Sequence, residues 1–259
     1  MPKFSIIMPA YNREGLLKEA IDSIIDQTYQ DWELIIVDDK STDKTLTVAK
    51  EYENLDKRIK VVALKKNQGP SNARNRGIAK SSGEFIVFND SDDTSSKDRL
   101  EEINKAISAN RDCDVLYSYL YKKSPDGSQK LIKPHPFDKE FIKVFNFIPN
   151  SVLTIKKDLF ELIGGYDNYL RTAEDYDLIL SLIEQEKEFL LIKKPLYIQR
   201  VHETNTTTQT PIKERIRDLE YVRKKHRLNK YSSNEAKKLC KSQKYWKRID
   251  NEFVKKIWF

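Results

Sequence analysis

Asp90-Ser91-Asp92-Asp93 sets three carboxylates in four consecutive positions, directly after the apolar run Phe85 to Phe88. Carboxylates crowded at the end of a strand repel one another unless a cation or a set of hydrogen-bond donors offsets their charge. A divalent ion chelated by a nucleotide diphosphate meets that need. Asp92 would then bind Mg2+ or Mn2+, and Asp90, with Ser91 beside it, would turn toward the ribose or a metal-bound water. The same residues could instead begin a helix near Ser96, where Asp and Ser are favoured. Val37-Asp38-Asp39 ends another apolar run, and Asp39 could accept a hydrogen bond from the imide N–H of a uracil ring, although an Asp at a strand end is also ordinary turn chemistry. A third acidic group, Glu174-Asp175-Tyr176-Asp177, follows Gly164-Gly165-Tyr166-Asp167 and opens a helical run. By itself it reads as a helix N-terminus whose acids complement the macrodipole.

Positioning these groups requires a particular order of elements. Phe4 to Met8, Glu33 to Val37, Lys60 to Leu64 and Glu84 to Phe88 have the length and β-branched content of buried strands. Leu16, Leu17, Ala20, Ile21, Ile24 and Ile25 recur at helical spacing, and Thr42 to Glu51 and Pro70 to Ser81 supply further helices. This alternation predicts a mostly parallel central sheet flanked by helices, an α/β fold whose ligands gather beyond the carboxyl ends of the strands. The acidic groups at 38–39 and 90–93 lie at such ends. Farther on, the pattern predicts a helix over Ser96 to Asn110 and a more antiparallel stretch from Val115 to Tyr121. A loop is expected over 134–150, then a short helix at Lys156 to Ile163, a longer one at Glu174 to Gln185, and one or two strands over Lys193 to Val201.

Length and charge bound the organisation. A chain of 259 residues accommodates one packed α/β domain with an appendage. We expect a catalytic domain over 1–210, its nucleotide-binding part about 1–95 and its acceptor-side part about 96–210, and a basic helical C-terminal extension over 211–259. The net charge of +7 is uneven: residues 212–259 carry 16 Lys/Arg against 6 Asp/Glu, leaving 31 basic and 34 acidic groups before them. The high isoelectric point therefore belongs to the extension and says little about the ligand of the main domain. Cys113 and Cys240 cannot form a disulfide framework or, with three histidines, a four-ligand zinc site. Two cysteines fit a reducing compartment, Phe4 to Ala10 is too short for a signal-peptide core, and no apolar run reaches the roughly 18 residues of a membrane span. These features predict a cytoplasmic protein.

In order and spacing, four segments resemble the family 2 inverting glycosyltransferases of the GT-A fold. They are Ser5-Ile6-Ile7-Met8-Pro9-Ala10-Tyr11-Asn12, Trp32 to Asp43 with Val37-Asp38-Asp39 at its centre, Asn67-Gln68-Gly69-Pro70-Ser71-Asn72-Ala73-Arg74-Asn75-Arg76-Gly77, and Gly83 to Asp93. The resemblance runs from residue 3 to about 205. It implies the nucleotide-diphospho-sugar transferase fold, with Pro9, Ala10, Tyr11 and Asn12 wrapping the nucleoside, Asp39 pairing with uracil, and Asn72 and Arg74 near the nucleotide. Asp90 and Asp92 would form the metal motif. Asp175 occupies the position of the general base, which takes the acceptor proton during a single, inverting displacement. His202 matches a position at which some relatives use a metal ligand; a lone His is otherwise a loop residue. The implied donor is a nucleotide sugar, a UDP-sugar first, and the implied acceptor a glycan or lipid-linked glycan of the cell envelope.

Competing classes lack their signatures. The seven glycines contain neither G-x-G-x-x-G nor a Walker loop, which disfavours dinucleotide oxidoreductases and P-loop enzymes. A sugar-nucleotide pyrophosphorylase would carry a glycine-rich loop where Pro9 to Asn12 stands. A non-catalytic nucleotide-sugar-binding scaffold would not need carboxylates at both Asp92 and Asp175. Lys237 to Phe259 interleaves basic with aromatic residues, which suits either an anionic membrane surface or a helix packed on the domain. No nucleic-acid recognition motif accompanies those charges.

Overall fold

β1 (Phe4–Ala10) and β2 (Trp32–Asp38) are apolar on both faces and buried almost end to end, as strands in the middle of a helix-covered sheet must be. In this computed structural model, which describes residues 1–203, 205 and 209–228, they pair in parallel with each other. β3 (Ile59–Ala63) pairs beside β2 and β4 (Phe85–Phe88) beside β1, both in parallel. One face, with Phe4, Ile6, Met8, Leu34 and Ile36, packs on α1 (Leu17–Ile25), Ala49 of α2 (Thr45–Leu55) and α4 (Arg99–Ala109). The other face, with Ile7, Ile35 and Val37, meets α3 (Pro70–Lys80) and the second half of the chain. At Gly77 of α3 an added Cβ would stand 2.6 Å from Cγ2 of Ile7, so the helix lies as close to the sheet as a glycine allows.

Beyond β4 the sheet becomes mixed. Its strand order is β3-β2-β1-β4-β8-β6-β9-β5, with β7 (Gln129–Ile132) beside β6 (Val115–Lys123). β8 (Thr154–Lys156) runs antiparallel between β4 and β6, while β9 (Phe189–Arg200) is parallel to β6 and antiparallel to the two-residue β5 (Thr94–Ser95). The β6–β9 register shifts on either side of the Tyr119–Pro195 pair, where proline can donate no ladder hydrogen bond. The parallel pattern expected from the first hundred residues thus holds for β3-β2-β1-β4, and antiparallel pairing closes the rest.

Three elements depart from expectation. The segment 134–150, read as a loop, contains α5 (Lys139–Val144), whose N-cap Asp138 accepts from the N–H groups of Glu140 and Phe141, and a one-turn 3-10 helix follows at Asn150–Val152. Six residues flanked by prolines are too few to display a helical period, yet Phe141, Ile142 and Val144 are buried. The helix expected from Lys156 begins two residues later, as α6 (Asp158–Ile163) before the left-handed Gly164, and Lys156 instead ends strand β8. β9 is longer than its apolar centre indicated. α7 (Glu174–Glu184) forms as expected. α8 (Ile212–Lys225) opens the basic extension and buries Asp218, Val222 and Arg223. The basic and aromatic stretch Lys237 to Phe259 lies outside the described residues.

Candidate active site

The carboxyl ends of β1, β2 and β4 open on one edge of the sheet, and the loops there hold one another. Asn12 accepts from the Thr42 N–H at 2.8 Å through Oδ1, while its own N–H donates to Ser41 Oγ at 3.0 Å. Asn12 thus joins the β1 and β2 loops, leaving Tyr11 exposed beside buried Ala10 and partly buried Pro9. Asp39 sits at the β2 tip with both carboxylate oxygens occupied, accepting from the N–H groups of Gln68 and Gly69 at 2.8 Å each. Those donors belong to the turn that starts α3, where Gly69 takes φ +86°. Burial pushes the Asp39 carboxyl up, against the pull of the two N–H bonds. Asn72, in the first turn of α3, has a buried side-chain oxygen with no hydrogen-bond partner.

Residues 90–93, just beyond β4, differ in their partners. Asp93 is structural: Tyr197 donates its hydroxyl to it at 2.9 Å and the Arg200 N–H donates at 2.7 Å. The same Tyr197 oxygen accepts from the Asp90 N–H at 3.0 Å. Burial first, then Asp90 and Asp92, drive the Asp93 carboxyl far above its usual range. Ser91 is buried between them. Asp92 points elsewhere, its Oδ2 lying 3.1 Å from Arg13 Nε and 3.0 Å from His202 Nε2. Residues 110 apart in sequence meet here because β5 pairs with β9, which delivers Tyr197, Arg200 and His202 to the cluster. Arg200 Nε also donates to the Asp92 carbonyl. Behind the cluster, buried Arg99 donates to the Phe88 and Ser151 carbonyls and to Ser95, and burial lowers its guanidinium to about 10.

Asp90 faces α3. Arg74, only 6% exposed, donates through Nη2 to Asp90 at 3.1 Å and through Nη1 to Glu174 at 2.7 Å. This cation ties the strand-end acids to the segment that carries Asp175. A chain of contacts seats that segment over α3, with Ser71 donating to the Leu170 carbonyl and Asn75 to the Tyr166 carbonyl, both at 2.8 Å. Gly165 closes on Asn75 so tightly that a Cβ would stand 2.7 Å from its Oδ1. Asp175 lies in the first turn of α7, and burial, followed by repulsion from Glu174, lifts its carboxyl to about 7. Backbone strain gathers at these loops, because three of the five non-glycine residues with positive φ among those described are Asn12, Lys40 and Ala173. Such conformations cost free energy and persist where surrounding contacts impose them, commonly at sites of function.

Contacts thus join Asn12 to the β2 loop, Asp39 to the start of α3, Asp92 to His202, and Asp90 through Arg74 to the segment that carries Asp175. Reading by motif missed Arg13, Arg99, Tyr197, Arg200 and Glu174. Of these, Glu174 alone carried a signal, its adjacency to Asp175. The others are single cations or aromatics on ordinary helices, strands and loops.

A mixed α/β sheet with acidic groups at its parallel strand ends is the arrangement that the resemblance to GT-A glycosyltransferases implies. Comparisons agree: the model of "Glycosyl transferase family 2" matches residues 5–163, and this chain belongs to that family. It is 31% identical over 254 residues to the uncharacterized glycosyltransferase MJ1057 of Methanocaldococcus jannaschii, covering 95% of this chain and 84% of that one. To TuaG of Bacillus subtilis, whose name assigns it to teichuronic acid biosynthesis, it is 43% identical over 192 residues, covering 71% and 73%. Among solved structures, S. aureus TarS 1-349 in complex with UDP-GlcNAc superposes with a TM-score of 0.71 at 23% identity, covering 92% of this chain and 70% of that one. The mannosyltransferase PcManGT of Pyrobaculum calidifontis, in complex with GDP-Man and Mn2+, gives 0.70 at 16% identity, covering 98% and 72%.

Proposed function

We propose that this glycosyltransferase moves a sugar from a UDP-sugar to a hydroxyl of a glycan or lipid-linked acceptor by a single inverting displacement, with Asp175 as general base. The observation that carries the reading is Arg74, which spans Asp90 and Glu174 and so joins the donor-side acids to the base segment in one site. Asp39, held by two backbone N–H groups, keeps lone pairs for the uracil imide, and Tyr11 to Asn12 border the nucleoside. Asp175 takes the proton of the acceptor hydroxyl as its oxygen forms a bond to the anomeric carbon. The bond from that carbon to the diphosphate oxygen breaks with its electron pair, and UDP leaves. A carboxyl near neutrality suits this task, since it is ionised enough to accept a proton and basic enough to pull it.

The donors around Asp92 fit a divalent cation. A hard carboxylate oxygen and a borderline imidazole nitrogen 3.0 Å apart suit Mn2+ better than Mg2+, and the ion would displace Arg13 Nε, 3.1 Å from the same Asp92 oxygen. Among the described residues no group of three His, Cys, Asp or Glu side chains could by itself hold a metal ion, so phosphate oxygens of the donor would complete the shell. Asp92 and His202 would hold the ion, with Asp90 near it, and its chemistry would be neutralisation of the charge on the departing diphosphate. The UDP-GlcNAc complex of TarS and the GDP-Man and Mn2+ complex of PcManGT support a nucleotide-sugar donor and a metal. TuaG supports an envelope-glycan acceptor.

The test is UDP release from a panel of UDP-sugars with Mn2+ present or chelated. Release should require the ion and vanish in Asp175→Asn and Asp92→Ala, with UDP binding surviving in the former. Undiminished release by Asp175→Asn would remove the base assignment.

A further inference from the structure

Helix α8 grips the segment that carries Asp175 from both sides. Asp218, with no exposed surface, uses Oδ2 to accept from the Arg171 N–H at 3.3 Å, the Thr172 N–H at 3.1 Å and the Thr172 hydroxyl at 3.0 Å. Its Oδ1 receives Nε and Nη2 of Arg217 at 3.1 and 2.9 Å. One turn or more along the helix, Tyr221 and Lys225 reach Asp167, while Lys225 and His226 reach Asp177. Asp167 precedes the acidic segment and Asp177 is its last residue.

The placement of Asp218 has a local consequence. Arg171 and Thr172 lead directly into Ala173, the N-cap of α7, which stands at φ +60° with no side-chain cap of its own. An alanine there is disfavoured, because its Cβ crowds the following carbonyl, and a short loop relaxes out of it unless outside contacts hold both flanks. On one flank the contacts are the Asp218 bonds; on the other they are the first turn of α7 and the Arg74–Glu174 pair. A buried carboxylate is costly without partners, and Asp218 meets that cost with donors drawn mostly from this one loop.

Building on the reading of Asp175 as base, we propose that Asp218 is a positioning residue for catalysis: a carboxylate supplied by α8 fixes residues 171–173, and with them the direction in which Asp175 leaves the start of α7. The C-terminal extension thereby belongs to the catalytic unit through at least its first helix.

The experiment compares wild type with Asp218→Ala, Asp218→Asn, Thr172→Val, Asp175→Asn and the double variant Asp218→Ala/Ala173→Gly. It follows UDP release from UDP-GlcNAc, UDP-glucose and UDP-galactose with Mn2+, and amide hydrogen exchange across 170–176. Asp218→Ala should lower kcat about tenfold or more, as small displacements of a reacting group do, and leave the donor KM within about twofold because the nucleotide pocket is untouched. Exchange should quicken over 170–176 while β1 and β2 stay protected. Asp218→Asn and Thr172→Val should lose less, and they carry the test if the alanine variant fails to fold. Glycine adopts positive φ freely, so Ala173→Gly should recover much of the lost kcat, a rescue that general destabilisation would not give. Wild-type kcat and exchange in Asp218→Ala, or a loss that Ala173→Gly does not relieve, overturns the proposal. Release that persists in Asp175→Asn refutes the base reading instead, and loop exchange then decides the clamp by itself.

Discussion

If Asp175 is the base, its protonation state sets the acid limb of the rate, and its surroundings set where that limb falls. Burial and the neighbouring Glu174 hold the carboxyl at about 7 against an ordinary value of 3.8. With an apparent value near 7, roughly one-eleventh of the enzyme carries the ionised base at pH 6 and ten-elevenths at pH 8. The value of kcat should therefore rise about tenfold between them. The perturbation is Glu174→Gln. Removing that charge withdraws the repulsion and releases Arg74 from its nearer partner, 2.7 Å away, so both effects favour ionised Asp175 and the acid limb should move to lower pH. Stability runs the other way. A carboxyl raised by folding contributes stability that is present below pH 3.8 and is lost as the pH rises toward about 7. The assay is kcat for UDP release from pH 5 to 9 at saturating donor and saturating Mn2+, which separates base ionisation from metal loss. Thermal melts of wild type and Asp175→Asn over pH 4 to 7 accompany it. A flat wild-type profile, or a limb that Glu174→Gln moves upward, would refute the assignment and its electrostatic cause together.

Other consequences follow from single contacts. Arg74→Leu leaves Asp90 and Glu174 without their buried cation and should cost about 3–5 kcal/mol in a denaturant titration, with UDP release abolished. Gly77→Ala drives a Cβ into Ile7 between α3 and the sheet and should cost about 1–3 kcal/mol, read as a lower melting temperature with the acid limb of kcat unmoved. Deleting residues 229–259, which include the basic and aromatic stretch, should reduce sedimentation with anionic liposomes at low salt; equal recovery in the supernatant with and without them would exclude membrane binding by that stretch.

The sequence by itself determined the parallel core and the place of the acidic strand ends proposed to bind the donor, because both are written locally. Strands β1 to β4 are short runs of Ile, Val, Leu and Phe, and the acids at 38–39 and 90–93 stand directly at their ends, so periodicity and adjacency suffice. Short elements escaped the same reasoning, since the three residues of β8 and the six of α5 are shorter than any period that could identify them. Tertiary structure alone decided which acid meets which partner. Within Asp90 to Asp93, the partners Arg74, Arg13 with His202, and Tyr197 with Arg200 come from α3, the β1 loop and β9. Arg74 had the sequence of a surface helix until a loop a hundred residues downstream folded over it. Asp218 looked like one acid in a basic tail. A charged side chain tolerates water almost anywhere, so its type says little about burial, and only the packing of distant segments fixes whether it is solvated or bound to a partner.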